Sequence, residues 1–374
     1  MSKNNLRQTE ACEILDKASS SIGDHIELIY GEGLPERNRR GNKYPVYGSN
    51  GIVGFHEQSL VKGPGVIIGR KGTVGQVTLS KNDFWPIDTT YYVKLKEGND
   101  LIFWFYLLQT LGLNKMNSHS AVPGLNRDNV YSVLREVPPL SKQRAIAKIL
   151  YDFDEKIELN HQMNKTLEAT VQVLFKRYFV DEGVSDYCRV ADFVEFDPSI
   201  SVRRGDILPF VDMKALSEEG MCIFNVGSKP FAGGAKFMNG DTLLARITPC
   251  LENGKTGYVN FLSDKTVAAT GSTEFIVMRP KDGIPAQFVY CLARDPQFRE
   301  CAIQSMIGSS GRQRVQVDVL ADYKFVRPRK KELDKFDSAS AICFQQIKKN
   351  REEIILLSQL RDSLLPKLLS GRTN

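Results

Sequence analysis

Two long stretches of the chain carry apolar residues at steps of three and four positions. The first stretch runs from Ile146 to Tyr178 and the second from Phe336 to Leu368. Such spacing sustained over about five heptads is typical of coiled-coil helices, since a helix in an ordinary globular core needs only two or three turns. We therefore predict two long helices whose apolar seams pair with each other, rather than two helices packed on separate cores.

The two seams occupy equivalent places, because residues 190 positions apart match in the two halves: Pro138 matches Pro328, and Asn160 matches Asn350. A duplicated unit in one chain is a covalently fused dimer, so the pattern predicts a pseudo-two-fold internal repeat. A buried asparagine at a seam fixes the helix register at some cost in stability, and an exposed asparagine near a helix end is the alternative. The predicted seam residues are Ile146, Phe153, Ile157, Asn160, Leu167, Leu174, Ile347, Asn350, Ile354, Leu357 and Leu364.

Before each long helix the sequence changes to short strands separated by glycines. The segments GVIIG (65–69), QVTL (76–79) and TYYVKL (90–95) are rich in β-branched and aromatic residues, as are DTLLARI (241–247), GYVNFL (257–262) and TEFIVMR (273–279) in the second half. Helical segments follow at 99–111 and 284–302, and Pro296 should break or kink the second.

These elements predict an α+β fold in which two mixed α/β domains are separated by two long antiparallel coiled-coil helices. The predicted order is an N-terminal helical segment (1–20), a first domain (21–138), a first long helix (139–180), a second domain (181–327) and a second long helix (328–374).

The composition narrows the functional classes without choosing one. Seven cysteines without C-x-x-C spacing and four histidines without zinc-ligand spacing argue against disulfides and a structural metal. The longest apolar run, 101–108, is too short to cross a bilayer, and the start MSKNNLRQTE lacks a secretory signal, which predicts a cytoplasmic protein. The net charge of +6 permits an anionic partner.

Three motifs that could carry chemistry lack the residues or the spacing that the chemistry requires. Gly254-Lys255-Thr256 resembles the end of a P-loop, but Pro249 stands where a glycine amide would bind phosphate. The segment EVPPL (136–140) resembles the (N/D)-P-P-(Y/F) motif of amino-methyltransferases without its polar and aromatic residues. Asp212-x-Lys214 could imitate a metal-dependent nuclease, but surface charge explains it better. The chain is therefore predicted to be non-catalytic.

Basic loops punctuated by glycine remain, and they occur in both halves. The loop 69–75 places two cations among three glycines, which allow a phosphate to approach the backbone closely. The loop 308–314 contains arginine and glutamine, the usual readers of guanine and adenine edges. A solvated turn explains any one of these residues, but their occurrence in both halves favours DNA. The predicted DNA-binding residues are Lys43, Ser49, Asn50, Arg70, Lys71, Thr73, His119, Arg127, Arg246, Lys255, Ser309, Ser310, Arg312, Gln313 and Arg314.

Nearly the whole chain resembles the specificity subunits of type I DNA restriction–modification systems. The segments YPVYGSNGIVGFHE (44–57), LVKGPGVIIGRKGTVGQV (60–77) and DFWPIDTTYYVK (83–94) are similar to one common target-recognition domain. GDTLLARITPCLENGKTGYV (240–259) with GSTEFIVMRP (271–280) resembles another. PPLSKQRAIAKIL (138–150) and LRDSLLPKLLSG (360–371) match the ends of the family's two helical regions, although the second region has Arg327-Pro328-Arg329 where P-P-x-x-E/K-Q is usual.

This resemblance implies a non-catalytic adaptor in which each target-recognition domain reads one half of a bipartite, asymmetric site in double-stranded DNA. The paired helices would set the spacer between half-sites and dock two adenine-N6 methyltransferase (modification) subunits, which motor-endonuclease (restriction) subunits join. S-adenosylmethionine, ATP and magnesium would belong to those partners, leaving no cofactor in this chain. A double-lobed coiled-coil scaffold that binds proteins without DNA is the rival interpretation, and a self-sufficient methyltransferase or nuclease is a third.

Overall fold

The computed structural model describes residues 19–116, 124–181, 186–264, 267–309 and 311–370. The chain divides into two compact units, which we call lobe 1 (residues 1–155 and 358–374) and lobe 2 (residues 156–357). Both long helices contribute residues to both lobes, so the two lobes do not coincide with the predicted domains. The bounds of those domains remain a prediction. Most of the predicted N-terminal helical segment lies outside the described residues.

Lobe 1 contains a four-stranded antiparallel sheet in the order β2-β8-β5-β6 and a three-stranded sheet in the order β4-β3-β7. In the smaller sheet β3 is antiparallel to β4 and parallel to β7. The elements are β1 (Ser20–Ser21), α1 (Ile22–His25), β2 (Ile26–Tyr30), β3 (Tyr44–Gly48), β4 (Gly51–His56), β5 (Gly65–Gly69), β6 (Val77–Ser80), β7 (Trp85–Pro86), β8 (Thr90–Leu95), α2 (Leu101–Thr110), α3 (Arg127–Tyr131), β9 (Leu134–Arg135) and α4 (Leu140–Phe179).

The core of lobe 1 forms where β5 and α2 pack together. All five residues of β5 are buried, as expected for a strand that is covered on both faces. Asp100 caps α2 by accepting a hydrogen bond from the Phe103 amide at 2.9 Å, and Trp104 in this helix is fully buried. Trp85 remains partly exposed at β7, where its indole N–H donates to the Glu32 carbonyl at 3.0 Å.

Lobe 2 repeats this plan with one added strand. Its sheets have the orders β11-β18-β15-β16 and β13-β12-β17-β14, and β12 is antiparallel to β13 and parallel to β17. The elements are β10 (Tyr187–Arg189), β11 (Val194–Phe196), β12 (Ile207–Val211), β13 (Val226–Pro230), β14 (Ala235–Phe237), β15 (Thr242–Ala245), β16 (Thr256–Tyr258), β17 (Ala269–Gly271), β18 (Phe275–Pro280), α5 (Ala286–Arg294), α6 (Pro296–Gln304), α7 (Val317–Asp322), β19 (Lys324–Val326) and α8 (Lys330–Leu369).

The predicted internal repeat is confirmed by this topology. Helices α4 and α8 are each 40 residues long, and their first residues, 140 and 330, are 190 positions apart. Upstream the offset changes, since β5 begins at residue 65 and β15 at residue 242. The predicted break at Pro296 is also confirmed: α5 ends at Arg294, and Asp295 caps α6 by accepting from the Gln297 and Phe298 amides.

The predicted pairing of the long helices is confirmed within each lobe. In lobe 2, Asn160 donates to the Glu353 carboxylate at 2.9 Å, and the Asn164 side-chain oxygen accepts from Asn350 at 2.7 Å. From the first pair to the second, the residue number increases on α4 and decreases on α8, so the two helices run antiparallel. In lobe 1, Arg361 of α8 pairs with Asp154 of α4 at 2.5 Å.

The predicted seam residues differ in burial. Ile146, Asn160, Ile347, Asn350 and Ile354 are buried, whereas Phe153, Ile157, Leu167, Leu174, Leu357 and Leu364 are partly buried. Within the described ranges, every helix is too short or too polar to cross a membrane.

Candidate nucleic-acid interface

The basic loop of lobe 1 begins directly after β5 and is held by the backbone. The Arg70 amide donates to the Thr89 carbonyl at 2.9 Å, and the Arg70 carbonyl accepts from the Leu125 amide at 2.9 Å. A Cβ at Gly69 would lie 2.2 Å from the Thr73 carbonyl oxygen, so only glycine fits at this turn. The sequence therefore builds a tight loop that fixes the origin of the Arg70 side chain.

Two guanidinium groups pack against the ring of Tyr30 at the surface of lobe 1. The guanidinium carbons of Arg70 and Arg127 lie 5.0 and 4.7 Å from the centre of the Tyr30 ring, which is a cation–π distance. Arg70 also donates to the Asp88 carbonyl through Nη2 at 2.7 Å and Nε at 3.2 Å. Arg127 donates to the Leu28 carbonyl at 3.4 Å. Both cations are therefore pre-positioned, with part of each guanidinium still free to donate.

The tip of the β3–β4 hairpin adjoins this loop. The Ser49 hydroxyl lies within hydrogen-bonding distance of the Lys71 carbonyl and donates to the Thr89 carbonyl at 2.7 Å. Lys71, Thr73 and Asn50 are exposed. The structure thus brings Ser49 and Lys71 together with Arg70.

Lys43 lies apart from this group, just before the other end of β3. Its ammonium is 4.8 Å from the centre of the Tyr44 ring, and contact with the Tyr44 hydroxyl raises the pKa of Lys43. His119 falls outside the described residues.

Arg246 is the counterpart of Arg70 in lobe 2. It directly follows β15, its amide donates to the Glu274 carbonyl at 2.9 Å, and its carbonyl accepts from the Val315 amide at 3.0 Å. These contacts repeat those of Arg70 with the residue before β8 and with Leu125. The segments that directly follow β5 and β15 therefore occupy equivalent positions in the two lobes.

A cavity of about 320 Å³ opens beside Arg246, with Lys236 and Asp197 among its lining residues. The Arg246 Nε is buried and has no hydrogen-bond partner among the described residues. The Asp197 carboxylate accepts from the Val277 amide at 2.9 Å, which ties it to the sheet. Buried donors in proteins are nearly always satisfied, so the Arg246 Nε is poised to donate to a water or ligand atom in this cavity.

Arg314 is engaged within the fold rather than free. Its Nη2 and Nε donate to the two carboxylate oxygens of Glu274 at 2.5 and 2.9 Å, a bidentate pair that holds the pKa of Glu274 below its usual value. Lys255 is also turned inward, where its ammonium donates to the Met213 carbonyl at 3.3 Å. These two predicted DNA-binding residues therefore need a change of partner before they contact a ligand.

Arg312 and Gln313 are presented by a braced loop. The Gln313 amide donates to the Thr248 hydroxyl at 3.3 Å, and its carbonyl accepts from the Thr248 amide at 3.3 Å. The Arg312 amide donates to the Ser309 carbonyl at 2.9 Å, and the Arg312 side chain is exposed. Ser310 lies outside the described residues. The backbone is thus fixed while the Arg312 side chain extends into solvent.

The structure gives two rejected motifs ordinary structural roles. The Asp212 carboxylate caps a single turn by accepting from the Lys214 amide at 2.6 Å. The Thr256 hydroxyl donates to the Gly254 carbonyl at 3.1 Å, and the Thr256 amide donates to the Ser217 carbonyl at 3.2 Å. What the two lobes offer to a ligand is a set of positioned donors, suited to phosphate and base-edge acceptors.

Sequence reasoning missed the residues that position these donors. Tyr30, Asp88 and Glu274 act on arginines that are distant in sequence, so no local pattern indicates them. It also missed Arg37, Arg39 and Arg40, although the run PERNRRGNK (35–43) has four cations in nine residues and could have been noticed.

Comparison with known proteins identifies this architecture. A family model described as the type I restriction modification DNA specificity domain matches residues 16–169. The specificity subunit of the type I restriction enzyme EcoprrI of Escherichia coli is 32% identical over 133 residues, which cover 35% of this chain and 32% of that protein. The specificity subunit of the type I restriction enzyme MjaIX of Methanocaldococcus jannaschii is 24% identical over 346 residues, which cover 82% of this chain and 77% of that protein.

A solved structure shows the same fold. The crystal structure of a type I restriction–modification system S subunit from M. genitalium is similar over 95% of this chain and 96% of that chain, with a TM-score of 0.62 and 16% sequence identity. Together with the matches in sequence to specificity subunits, this likeness in fold confirms the resemblance drawn from the sequence motifs.

Proposed function

We infer that this chain, a member of the family of type I restriction–modification specificity subunits, is the DNA-recognition subunit of its complex. The observation that carries this proposal is the equivalence of Arg70 and Arg246, which hold the same backbone position in two lobes of the same topology. The role is recognition rather than catalysis.

We propose that each lobe reads one half of a bipartite, asymmetric site in double-stranded DNA. On this proposal the target-recognition domains are residues 21–138 and 181–327, and the spacer helices are residues 139–180 and 328–374. A helix of 40 residues at ~1.5 Å per residue is about 60 Å long. At ~3.4 Å per base pair along the duplex, that length corresponds to about 18 base pairs, enough for half-sites in neighbouring turns.

The predicted DNA-binding side chains divide into those that are exposed and those that are bound to other groups of the protein. Arg312 and Lys71 are exposed, which suits direct contact with a base edge or a phosphate. Arg70 and Arg127 are held by protein partners while part of each guanidinium group remains free, which suits them to position the strand and to bind its phosphates. Arg314 is paired with Glu274 and would contact DNA only after a change of partner.

The partners of the subunit follow from the same proposal. Two adenine-N6 methyltransferase subunits would dock on the long helices, and motor-endonuclease subunits would join them in the cytoplasm. S-adenosylmethionine, ATP and magnesium would be bound by those subunits, so the specificity subunit would hold no cofactor. Each methyltransferase would flip its target adenine out of the duplex, as base-modifying enzymes must.

The test is the double variant Arg312→Ala/Gln313→Ala, with Lys71→Ala in the other lobe as the matched variant. Methylated sequences are mapped in cells that express each form with the cognate methyltransferase. We expect Arg312→Ala/Gln313→Ala to relax one half-site by about 1–3 kcal/mol per lost base contact and Lys71→Ala to affect only the other half-site.

Equal weakening at all sequences would mean that the altered residues grip phosphate. The rival scaffold without DNA contact is tested by gel shift of the wild-type chain on duplex DNA at several salt concentrations. Absence of any salt-dependent shift would reject the recognition role itself.

A further inference from the structure

Strand β4 of lobe 1 exposes three large apolar side chains that its core does not use. Ile52, Val53 and Phe55 are 54%, 41% and 45% exposed, and β4 is the edge strand of its three-stranded sheet. A cluster of exposed apolar residues marks a binding surface. This strand is therefore suited to being covered by a partner.

A basic segment, residues 36–43, is fastened to this strand, and we call it the basic strap. Arg39 donates to the Val53 carbonyl at 2.6 Å and to the Leu34 carbonyl at 3.3 Å. The amide of Arg40 donates to Nδ1 of His56 at 3.0 Å. Because Val53 and His56 lie at different points of β4, the two bonds fix the course of the strap along the strand.

The strap leaves most of its charge facing solvent. Arg37, Arg40 and Lys43 are exposed, and the guanidinium groups of Arg37 and Arg40 form no hydrogen bond or ion pair with a described residue. Residues 36–57 carry four cations and two carboxylates. A surface that combines unpaired cations with exposed apolar side chains is complementary to a polyanion that also presents apolar groups.

The hairpin joins this surface to the loop that follows β5. Ser49 at its tip is bonded to the carbonyls of Lys71 and Thr89, so the strap, β4 and the loop 69–75 lie next to one another in lobe 1. The bulge between Val46 and Tyr47 of β3 places an extra residue on β4, and bulges of this kind redirect side chains next to functional sites.

We propose that the β3–β4 hairpin enters the major groove of DNA. In this arrangement Ile52, Val53 and Phe55 contact base edges, and Arg37 and Arg40 bind the flanking phosphates. The inference rests on the proposed function and goes beyond it by naming the element that enters the groove and the base it favours.

The dimensions and the chemistry of the hairpin fit a groove. The major groove of B-form DNA is wide enough to admit a two-stranded ribbon. The six residues of β4, the strand that would face the bases, span about 20 Å at ~3.3 Å per residue, close to six base pairs at ~3.4 Å. Apolar side chains in the major groove recognise the methyl group of thymine, so the half-site read by lobe 1 contains T·A pairs under this strand.

The charge is tested first, by the salt dependence of binding of the full-length chain to duplex DNA. Each phosphate contact contributes about −0.9 to the slope of log K against log salt concentration, so Arg37→Ala/Arg40→Ala should reduce the slope by about 1.8. The control Lys142→Ala/Arg144→Ala removes the same charge from exposed positions at the start of α4 and should leave the slope unchanged.

The apolar face is tested by selection from a duplex library with randomised positions. Ile52→Ser/Phe55→Ser should lose the enrichment for T·A pairs in one half-site only, by about tenfold or more, while its salt slope stays at the wild-type value. Leu134→Ser, which changes another exposed apolar residue of lobe 1 (59% exposed), should select the wild-type sequence.

The outcomes separate this inference from the function on which it rests. In one outcome the wild-type chain binds duplex DNA while the strap and β4 variants have the wild-type salt slope and select the wild-type sequence. That result overturns the groove-entering hairpin and leaves the recognition role standing. Loss of methyltransferase binding by Ile52→Ser/Phe55→Ser without any change in selected DNA also overturns it, because the surface would then bind protein. Failure of the wild-type chain to bind duplex DNA overturns both.

Discussion

The buried carboxylate of Glu168 connects α4 to the rest of lobe 2 through two hydrogen bonds. The effect of deleting one of the two donors on the free energy of unfolding can be estimated. Glu168 is 7% exposed, accepts from the Met221 amide at 2.9 Å, and forms a short hydrogen bond with the hydroxyl of Tyr290 in α5. The substitution Tyr290→Phe deletes only the hydroxyl donor and keeps the ring. It therefore leaves a buried carboxylate with one of its two donors.

The expected loss depends on whether Glu168 is charged. A hydrogen bond to a charged group contributes about 1.5–3 kcal/mol, and one between neutral groups about 0.5–1.5 kcal/mol. We expect Tyr290→Phe to lower the free energy of unfolding by about 2 kcal/mol where Glu168 is ionised and by about 1 kcal/mol where it is protonated. For a unit of about 200 residues, 2 kcal/mol corresponds to a fall in Tm of about 4–8 °C.

The sign of the pH dependence follows from the shifted pKa. Burial raises the pKa of Glu168 above the ordinary value of 4.5, and the bond from Tyr290 partly opposes that rise. Between the unfolded and folded pKa values the folded chain binds more protons, so the stabilisation from protonated Glu168 is complete below the unfolded pKa and is lost as pH rises through the folded pKa. Tyr290→Phe removes the opposing donor, raises the folded pKa further and makes that loss larger.

The measurement is urea unfolding of the full-length chain at several pH values, followed by circular dichroism. Tyr258→Phe is the control, since Tyr258 is a buried tyrosine of the same lobe whose hydroxyl makes no hydrogen bond to a described residue. The variant Tyr290→Phe should diverge from wild type as the pH rises, and Tyr258→Phe should not. A constant deficit across pH, or an equal deficit in both variants, would refute the assignment of the effect to Glu168.

Three further changes test the pairing of the helices, the sheet of lobe 2 and the spacer role of the long helices. Asn350→Leu leaves the buried side-chain oxygen of Asn164 without its donor and should cost about 1–3 kcal/mol, whereas Asn164→Leu/Asn350→Leu should recover part of that loss in a double-mutant cycle measured by urea unfolding. Asp241→Asn breaks the buried bidentate pair with Arg279 and should cost about 3–5 kcal/mol in the same assay. A seven-residue insertion in α4 should change the spacer in methylation maps while both half-sites are retained; altered half-sites with an unchanged spacer would contradict the spacer role.

The long helices could be predicted closely because their signal is local and repeated. The apolar spacing located α4 and α8, and Pro138 and Pro328 marked the segments that precede them. The sheet β4-β3-β7 of lobe 1 and the sheet β13-β12-β17-β14 of lobe 2 were not predicted, and the reason is equally local. Strand β3 contains Pro45 and β12 contains Pro209, and proline inside a segment argues against a strand because it donates no ladder hydrogen bond.

The site could be predicted only as a set of residue types. Glycine and arginine in a loop indicate where a phosphate could approach, and that much is local. Whether Arg314 is free depends on Glu274, which lies 40 residues away in the chain, and the stacking of Arg70 on Tyr30 depends on an equally distant contact. Tertiary partners decide which of several similar cations is available, and a single sequence does not carry that information.

The placement of tryptophan has an optical consequence for anyone who studies this chain in solution. Both tryptophans, Trp85 and Trp104, belong to lobe 1, and the sequence contains no others. Trp104 is sealed in the interior, whereas Trp85 is partly exposed and stands edge-on to His56 at the end of β4, with ring centres 5.5 Å apart. Fluorescence excited at wavelengths that tryptophan absorbs and tyrosine does not will therefore report on lobe 1 alone. Lobe 2 contributes no tryptophan signal.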